Sequence, residues 1–382
     1  ESLTLKDILI GEVWICSGQS NMEMPVHGFY GQPVVGSLEE IVEASQYPDI
    51  RMFTLPPTPA AEPQDDCRGS WLKSTPESVR DFSAVGYFFG KNLNKVLNIP
   101  IGLITPNCGG IAIEPWMTAE AIRETAGINQ KLAFTPQVQT EAANASYLFN
   151  GMIAPIRNFT GRGFIWYQGE SNRKAPALYR KLQPLFVQML REAWGQGELP
   201  FYYVQIAPFE YDGARLVGTA LLREAQLQNL QEIPNSGMVV TMDVGDCGCI
   251  HPARKRKVGE RLALLALSKS YGVNGFVPDT PVYQSMEVNN GKVYLTFDCG
   301  SEGLAPLGTT FPGFEMAGED RIFYSATARI EKGTGRLEVS CEKVPVPMAV
   351  RYCFWNYEQG TLYSRYGIPV ASFRTDTWEV KE

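Results

Sequence analysis

Two kinds of hydrophobic pattern alternate along residues 1–272. Short runs in which nearly every position is apolar predict buried strands, whereas apolar residues that repeat every three or four positions predict amphipathic helices. Strands are predicted at residues 12–16, 50–54, 99–105, 163–167, 201–206 and 238–242. Helices are predicted at residues 79–97, 178–190 and 219–231, and residues 55–77 are expected to form a loop. This alternation indicates an α/β fold built on a parallel sheet.

The pattern changes after residue 272, where apolar and polar residues alternate one by one, as they do at residues 292–297 and 337–340. Turn sequences such as Asn289-Asn290-Gly291 separate these segments, which is typical of antiparallel strands. The sequence therefore predicts three parts. They are an α/β domain at residues 1–272, a β-rich insert or second domain at 273–350, and a C-terminal segment at 351–382 that returns to the first domain.

Small or amide-bearing residues follow three of the predicted strands. Ser20 follows the first strand, Gly109-Gly110 the third and Gln168-Gly169 the fourth. Ligand sites of open parallel sheets lie beyond the carboxyl ends of the strands. The three clusters are therefore expected to meet in one site.

The composition excludes several classes of partner. The 382 residues are 44% hydrophobic and 20% charged, with a net charge of −7, which argues against a nucleic-acid binder. No apolar run approaches the roughly 20 residues of a membrane span. Eight cysteines are too few for a disulfide scaffold, and Cys16 and Cys108 are predicted to be buried free thiols.

Only two histidines, His27 and His251, can serve as a base in this chain. His251 precedes Pro252 and an apolar helical repeat, so it is expected at or near the N-cap of a helix. The helix dipole would then disfavour the imidazolium and keep the ring neutral. A histidine that only caps the helix or fills the core remains the alternative.

These residues supply the parts that acyl transfer requires. Ser20 is the candidate nucleophile and His251 the candidate general base. The backbone N–H groups of Ser20 and Gly110 and the side-chain amide of Gln168 are the candidate oxyanion donors. Met22 occupies the position of the second glycine in a Gly-x-Ser-x-Gly elbow, which argues against an α/β-hydrolase.

An ordered set of motifs resembles the sialate O-acetylesterase family of SGNH hydrolases over almost the whole chain. The motifs are Gly18-Gln19-Ser20-Asn21-Met22, Gly109-Gly110, Trp166-Tyr167-Gln168-Gly169-Glu170-Ser171-Asn172, His251-Pro252 and Phe373-Arg374-Thr375-Asp376. The resemblance implies a flavodoxin-like three-layer α/β sandwich with a smaller β-rich region. It also implies a serine esterase that removes O-acetyl groups from sugars, most often sialic acid, in the periplasm or outside the cell. No cofactor or metal is expected, and Asn21, Glu170, Asn172 and Arg223 are expected to support the site.

One departure from the family pattern concerns the acid that orients the histidine. Many relatives carry Asp-Ile-His-Pro, whereas Gly248 and Cys249 stand at the two positions where an acid would be expected here. Asp246 is the preferred substitute because it is nearest in sequence, and Asp243, Glu170 or a backbone carbonyl are the alternatives. Loss of the orienting group can cost about 10⁴ in rate when the wrong tautomer results.

Other interpretations stay open at the level of sequence. Cys247, Cys249 and His251 have donor atoms that suit zinc, although no fourth ligand is evident. Glu170 and Asp246 form a candidate carboxylate pair for a glycosidase.

A carbohydrate-binding protein without catalysis is the second function class. Trp71, Trp116, Trp166 and Tyr167 are its candidate exposed aromatics, with the alternative that they lie in the core, as most aromatics at such positions do. Among possible substrates, acetylated xylan is the alternative to sialic acid. The carboxylate of sialic acid would need a partner such as Arg162, Arg173 or Arg223.

Overall fold

The largest element of the computed structural model is a seven-stranded sheet. The structure describes residue 4 and residues 6–126, 144–300, 303–331 and 334–380. The strands of this sheet are β1 (Glu12–Gly18), β2 (Ile50–Leu55), β3 (Trp71–Lys73), β4 (Ile101–Pro106), β5 (Gly163–Tyr167), β6 (Phe201–Val204) and β7 (Ser236–Val239). They are ordered β3-β2-β4-β1-β5-β6-β7, and β3 alone runs antiparallel to its neighbour. The predicted parallel sheet is confirmed.

Helices cover both faces of the sheet. They are α1 (Ser20–Glu23), α2 (Ser37–Glu43), α3 (Pro76–Arg80), α4 (Ala84–Leu97), α5 (Ala119–Ala126), α6 (Pro176–Trp194), α7 (Gly218–Glu232) and α8 (Lys255–Lys269). The apolar sides of α4 and α8 pack with one face of the sheet, through Trp14, Phe89 and Leu262. Those of α6 and α7 pack with the other, through Trp166, Phe186 and Leu222. The chain thus forms the predicted three-layer α/β sandwich.

The strand order brings the ends of three strands together. β1 lies between β4 and β5, so the chain crosses from one half of the sheet to the other around this strand. Gly18 at the end of β1 pairs with Tyr167 at the end of β5 and also bridges to Asn107 after β4. Ser20, Gly109-Gly110 and Gln168 therefore follow neighbouring strands on one edge of the sheet.

Two differences from the predicted elements have local causes. Residues 55–77 contain the edge strand β3, whose three residues are largely exposed and lack the apolar run of a buried strand. The helix predicted at 79–97 is two helices, α3 and α4. Ser83 lies between them and accepts a hydrogen bond from Gly86 N, which caps the start of α4.

The β-rich part consists of small antiparallel sheets. Its strands are β8 (Val282–Asn289), β9 (Lys292–Asp298), β10 (Leu304–Ala305), β11 (Phe314–Ala317), β12 (Phe323–Ser325), β13 (Thr327–Ile330), β14 (Leu337–Ser340), β15 (Ala349–Tyr352), β16 (Tyr363–Ser364) and β17 (Phe373–Arg374). The boundary predicted after residue 350 falls inside β15, which pairs with both β11 and β17. The segment after residue 350 also contacts α7, where Arg374 binds Glu224 at 2.8 and 2.9 Å. That segment therefore belongs to the β-rich sheets as well as packing on the first domain.

In the part of the chain that the structure describes, no helix is both long and apolar enough to cross a membrane. Cys16 and Cys108 are buried and free. Burial raises the pKa of the Cys108 thiol to about 11, so this cysteine is a poor nucleophile.

Candidate active site

Ser20 stands where β1 gives way to the single turn of α1. The strand ends at Gly18, whose φ is +150° and whose Cβ, if present, would lie 2.2 Å from the carbonyl oxygen of Tyr167. A side chain at this position would therefore push β1 and β5 apart. The glycine allows the chain to turn sharply and place Ser20, which is half-buried, at the edge of the sheet.

The structure brings the two predicted catalytic residues together. His251 Nε2 lies 2.8 Å from Ser20 Oγ, a hydrogen bond between side chains 231 positions apart. His251 does not cap a helix, because α8 begins at Lys255 and its N-cap is Arg254. Residues 251–254 form an irregular segment before the helix, so His251 lies near the helix start, as expected, but three residues before the N-cap itself. His27 is elsewhere, with Nδ1 2.8 Å from the carbonyl oxygen of Arg80.

The second nitrogen of His251 contacts an amide. Gln32 Oε1 lies 2.6 Å from His251 Nδ1, and the ring of Phe29 meets the imidazole edge-on with centroids 5.2 Å apart. Because Gln32 Oε1 can only accept, Nδ1 carries the hydrogen and Nε2 is left to accept from Ser20. The orienting position of the site is therefore occupied by a neutral group.

None of the three acids considered from the sequence occupies this position. Asp246 is exposed, and its carboxylate accepts from Gly248 N at 2.8 Å instead of contacting His251. Asp243 is buried and bound by Arg261 at 2.7 and 2.8 Å. Glu170 binds Asn21 at 2.6 Å. Sequence proximity was misleading for Asp246, because its loop turns the carboxylate onto its own backbone.

Burial and, to a smaller extent, the positive charge of Lys255 together lower the pKa of His251 to about 4. The ring is therefore neutral near pH 7, as the sequence suggested, but burial and a nearby cation are responsible instead of a helix dipole. A neutral imidazole is the form that can take a proton from Ser20.

A buried polar cluster fixes the serine segment to the histidine segment. Asn21 donates to Glu170 Oε1 at 2.6 Å and to the carbonyl oxygen of Ile250 at 3.1 Å, and Lys255 donates to Asn21 Oδ1. Burial lowers the pKa of Lys255 to about 7, opposed by the field of Glu170. Burial raises the pKa of Glu170, opposed by Asn21 and Lys255. Asn21, the residue after Ser20, is thus bonded directly to Ile250, the residue before His251.

The glycine pair after β4 lies against the serine. A Cβ on Gly109 would be 3.4 Å from Ser20 Cβ and 2.7 Å from Glu23 Oε2. The next residue, Gly110, is exposed and has φ +72°, a conformation that favours glycine. Ser20 N–H begins α1 and has no acceptor within the helix. The Ser20 and Gly110 amides therefore remain candidate oxyanion donors.

Gln168 lies differently from what the sequence suggested. Its side chain is completely buried, and Nε2 donates to Asn172 Oδ1 at 2.7 Å and to the carbonyl oxygen of Ile111 at 3.3 Å. Asn172 in turn donates to Glu114 at 3.0 Å. The amide nitrogen, the group expected to bind the oxyanion, is therefore engaged by protein acceptors in the interior. Its contacts fix the loop that carries Gly110 to the end of β5.

Comparison with known proteins identifies the family of this chain. The family profile described as carbohydrate esterase, sialic acid-specific acetylesterase matches residues 10–268. This chain belongs to that family. The family resemblance predicted from the motifs is thereby confirmed.

Members with known names and structures are similar along most of the chain. The human sialate O-acetylesterase is 30% identical over 323 residues, which cover 78% of this chain and 61% of the human protein. The mouse protein of that name is 28% identical over 349 residues, covering 78% and 64%. A carbohydrate acetylesterase from Xanthomonas citri is 35% identical with a TM-score of 0.87, covering 97% of this chain and 82% of that one. The chain thus spans about three fifths of the length of these curated relatives.

The three arginines considered as sialic acid ligands have different surroundings. Arg223 is completely buried and bonded to Ser372, Cys353 and Trp355. Arg162 pairs with Glu12 at the start of β1, at the opposite edge of the sheet from Ser20. Arg173 follows Glu170 on the site edge, where it stacks over Tyr211 at 4.6 Å and pairs with Asp212. Of these three, only Arg173 is both partly exposed and on the Ser20 edge.

The aromatic side chains suggested as sugar contacts are mostly core. Trp116, Trp166 and Tyr167 are at most 1% exposed, and only Trp71 reaches the surface. Each of the three lies in a hydrophobic layer on one side of the sheet, so their prediction as exposed rings was wrong.

The metal and glycosidase interpretations gain no support from the geometry. Within the described ranges, no three His, Cys, Asp or Glu side chains gather as a metal-binding group. Cys249 Sγ contacts the His251 carbonyl oxygen, and both His251 ring nitrogens have other partners. Glu170 is buried and accepts a hydrogen bond from Asn21, whereas Asp246 is exposed and accepts from Gly248 N. The two carboxylates therefore have different partners and do not act as a pair.

Sequence reasoning missed Gln32, Phe29 and Lys255. Gln32 lies in Phe29-Tyr30-Gly31-Gln32-Pro33, where the glycine and proline signal a turn but nothing signals a contact with His251. Lys255 begins a helix that reads as an ordinary amphipathic segment.

Proposed function

We propose that this protein is a serine-dependent carbohydrate esterase that removes O-acetyl groups from sugars, with O-acetylated sialic acid as the preferred substrate. The observation that carries the proposal is the 2.8 Å hydrogen bond between Ser20 Oγ and His251 Nε2. Family membership supports the acetylated sugar as the substrate class.

In the proposed mechanism Ser20 Oγ attacks the acetyl carbonyl carbon while His251 Nε2 takes the hydroxyl proton. The developing oxyanion is bound by the backbone N–H groups of Ser20 and Gly110. His251 then gives its proton to the departing sugar oxygen. Water attacks the acetyl-enzyme with His251 as base again, which releases acetate and restores the serine.

Gln32 takes the place that a carboxylate has in a serine triad. Its Oε1 holds His251 in the Nδ1–H tautomer and fixes the ring orientation. As a neutral amide, it stabilises the transient imidazolium through a dipole instead of a full charge. The base is therefore weaker than one paired with an acid, in line with the lowered pKa of His251.

Two alternatives share part of this evidence. An esterase acting on acetylated xylan would use the same residues on another sugar. A degenerate sugar-binding protein is favoured by the missing acid, but the intact Ser20–His251 hydrogen bond is a feature that binding alone does not require.

The test is acetate release from 9-O-acetylated sialic acid and from acetylated xylo-oligosaccharides, comparing the wild type with Ser20→Ala. The proposal expects release from the sialic acid, reduced at least about 10³-fold in the variant. Release from xylan fragments alone would retain the mechanism and change the substrate. Unchanged release by Ser20→Ala would remove the serine mechanism, and no serine-dependent release from either sugar would favour the binding protein.

A further inference from the structure

A tight turn next to the catalytic histidine carries an unpacked aromatic side chain. Phe29 N donates to the Gln32 carbonyl oxygen at 3.0 Å, and Gln32 N donates to the Phe29 carbonyl oxygen at 2.9 Å. Tyr30 and Gly31 form the corner, and the φ of +71° at Gly31 is one that glycine adopts without strain. The two hydrogen bonds fix the positions of Phe29 and Gln32 relative to each other.

The chain on either side of this turn is also anchored. His27 N donates to the Arg80 carbonyl oxygen at 3.1 Å, and Val35 N donates to the Ala253 carbonyl oxygen at 2.9 Å. Ala253 is two residues after His251, so the outgoing side of the turn is bonded to the segment that carries the base. The turn therefore has a defined position in the site.

The two residues that close the turn are the two that hold His251. Gln32 accepts from Nδ1 at 2.6 Å and the Phe29 ring packs edge-on against the imidazole. Tyr30 lies between Phe29 and Gln32 in the same tight turn. Its backbone is therefore close to His251, which both of those residues contact. Its side chain is fully exposed, at 105% of the reference value, the highest among the large hydrophobic side chains of the described residues.

We propose that Tyr30 is a stacking platform for a sugar ring of the substrate at the entrance of the Ser20–His251 site. The inference rests on the proposed function and names a binding residue for it. A pyranose ring has an apolar C–H face, which gains contact and releases water when it covers an aromatic ring. A tyrosine has only two side-chain torsions to order, so a ring on an anchored turn loses little entropy on binding.

Tyr30 differs in position from the aromatic side chains first considered as sugar contacts. The core aromatics Trp116, Trp166 and Tyr167 cannot meet a substrate because they are buried. Tyr30 is solvent-facing, and in the chain it lies between Phe29 and Gln32, the two residues that contact His251. A sugar seated on it would have its ester group directed by the same turn that orients His251.

The first experiment measures KM for an acetylated sialyl oligosaccharide and for glycerol triacetate, which has acetyl esters but no sugar ring. Tyr30→Ala is expected to raise KM for the sugar about tenfold, while kcat changes little, and Tyr30→Trp is expected to keep KM low. The matched control is Tyr366→Ala. Tyr366 is also an exposed tyrosine before a positive-φ glycine, Gly367, but in the β-rich part. This control should leave KM unchanged.

The second experiment measures binding without turnover. Isothermal titration of the acetylated oligosaccharide into Ser20→Ala and into Ser20→Ala/Tyr30→Ala should give an affinity about tenfold weaker for the double variant. Equal affinities would overturn the platform, as would an equal rise in KM for both substrates, since that would show a disturbed His251. Full activity in Ser20→Ala would instead defeat the proposed serine mechanism, and the KM comparison of the first experiment would still decide the role of Tyr30.

Discussion

Gln32 Oε1 and His251 Nδ1 are 2.6 Å apart, so a neutral amide orients the candidate base of this site. The two residues are 219 positions apart in the sequence. They meet because the segment at residues 25–36 packs against the segment before α8. This contact gives the molecule a Ser–His–Gln arrangement in place of one with an acid.

Removal of the amide should slow catalysis more than it weakens binding. Gln32→Ala leaves His251 Nδ1 without its acceptor, so the ring can rotate or adopt the other tautomer. We expect kcat to fall by about 10²–10⁴ with a smaller change in KM. Acetate-release kinetics check this, with Gln188→Ala as the control because Gln188 is an exposed glutamine whose side chain donates to Glu192. A kcat within a factor of about two of wild type would show that Gln32 has no orienting role.

The activity of the enzyme should be lost on the acid side only at an unusually low pH. His251 acts as a base only when it is neutral, and burial together with Lys255 lowers its pKa to about 4. Activity is therefore retained as the pH falls below about 6.5, the value of a free histidine, and is lost only near the lowered pKa. The measurement is kcat/KM against pH, with circular dichroism at each pH to exclude unfolding. A wild-type limb near the free-histidine value would contradict the assignment.

Gln32→Glu should move that acid limb in a known direction. A carboxylate facing Nδ1 favours the imidazolium, so the pKa of His251 rises and activity is lost at a higher pH than in the wild type. The same pH–rate measurement on the variant checks the shift. Gln188→Glu, which adds a negative charge away from the site, serves as the control for a general charge effect. A limb that stays in place would indicate that residue 32 does not contact the ring in solution.

Replacement of Asn21, the residue after Ser20 in the sequence, should lower kcat although Asn21 takes no direct part in the reaction. It joins Glu170, Lys255 and the Ile250 carbonyl oxygen, so Asn21→Ala releases the serine and histidine segments from each other. We expect kcat to fall about 10- to 100-fold, because small displacements of reacting groups are costly. Asn229→Ala is the matched control, since Asn229 is equally buried but bonds Gln183 between α6 and α7. That variant should lose stability while kcat is retained; equal kcat losses in both would argue against a specific positioning role.

Gly18→Ala should destabilise the fold and the site together. The new Cβ would meet the Tyr167 carbonyl oxygen at 2.2 Å, between two paired strands that cannot separate freely. A loss of more than about 2 kcal/mol is expected, against about 1 kcal/mol for Gly195→Ala. Gly195 also has a positive φ but has open space around it. Thermal and denaturant unfolding compare the two, and similar losses would show that φ alone sets the cost.

Much of the architecture could be predicted from local patterns. The runs at residues 163–167 and 201–204 are apolar at every position because β5 and β6 are covered on both faces. The edge strand β3 escaped prediction because exposed strands lack that pattern. Its position depends on pairing with β2, which a local window does not contain.

The sequence by itself determined the layered parallel sheet, the family, and the placing of Ser20 and Gly110 after neighbouring strands. These features follow from hydrophobic periodicity, from motifs of adjacent residues, and from the rule that parallel strands end on one edge. Only the tertiary structure decided which group orients His251, that Gln168 is engaged in the core, and that Asn21 and Lys255 share a buried cluster. Each of these depends on contacts between side chains far apart in the chain, and such contacts are set by packing instead of by local sequence.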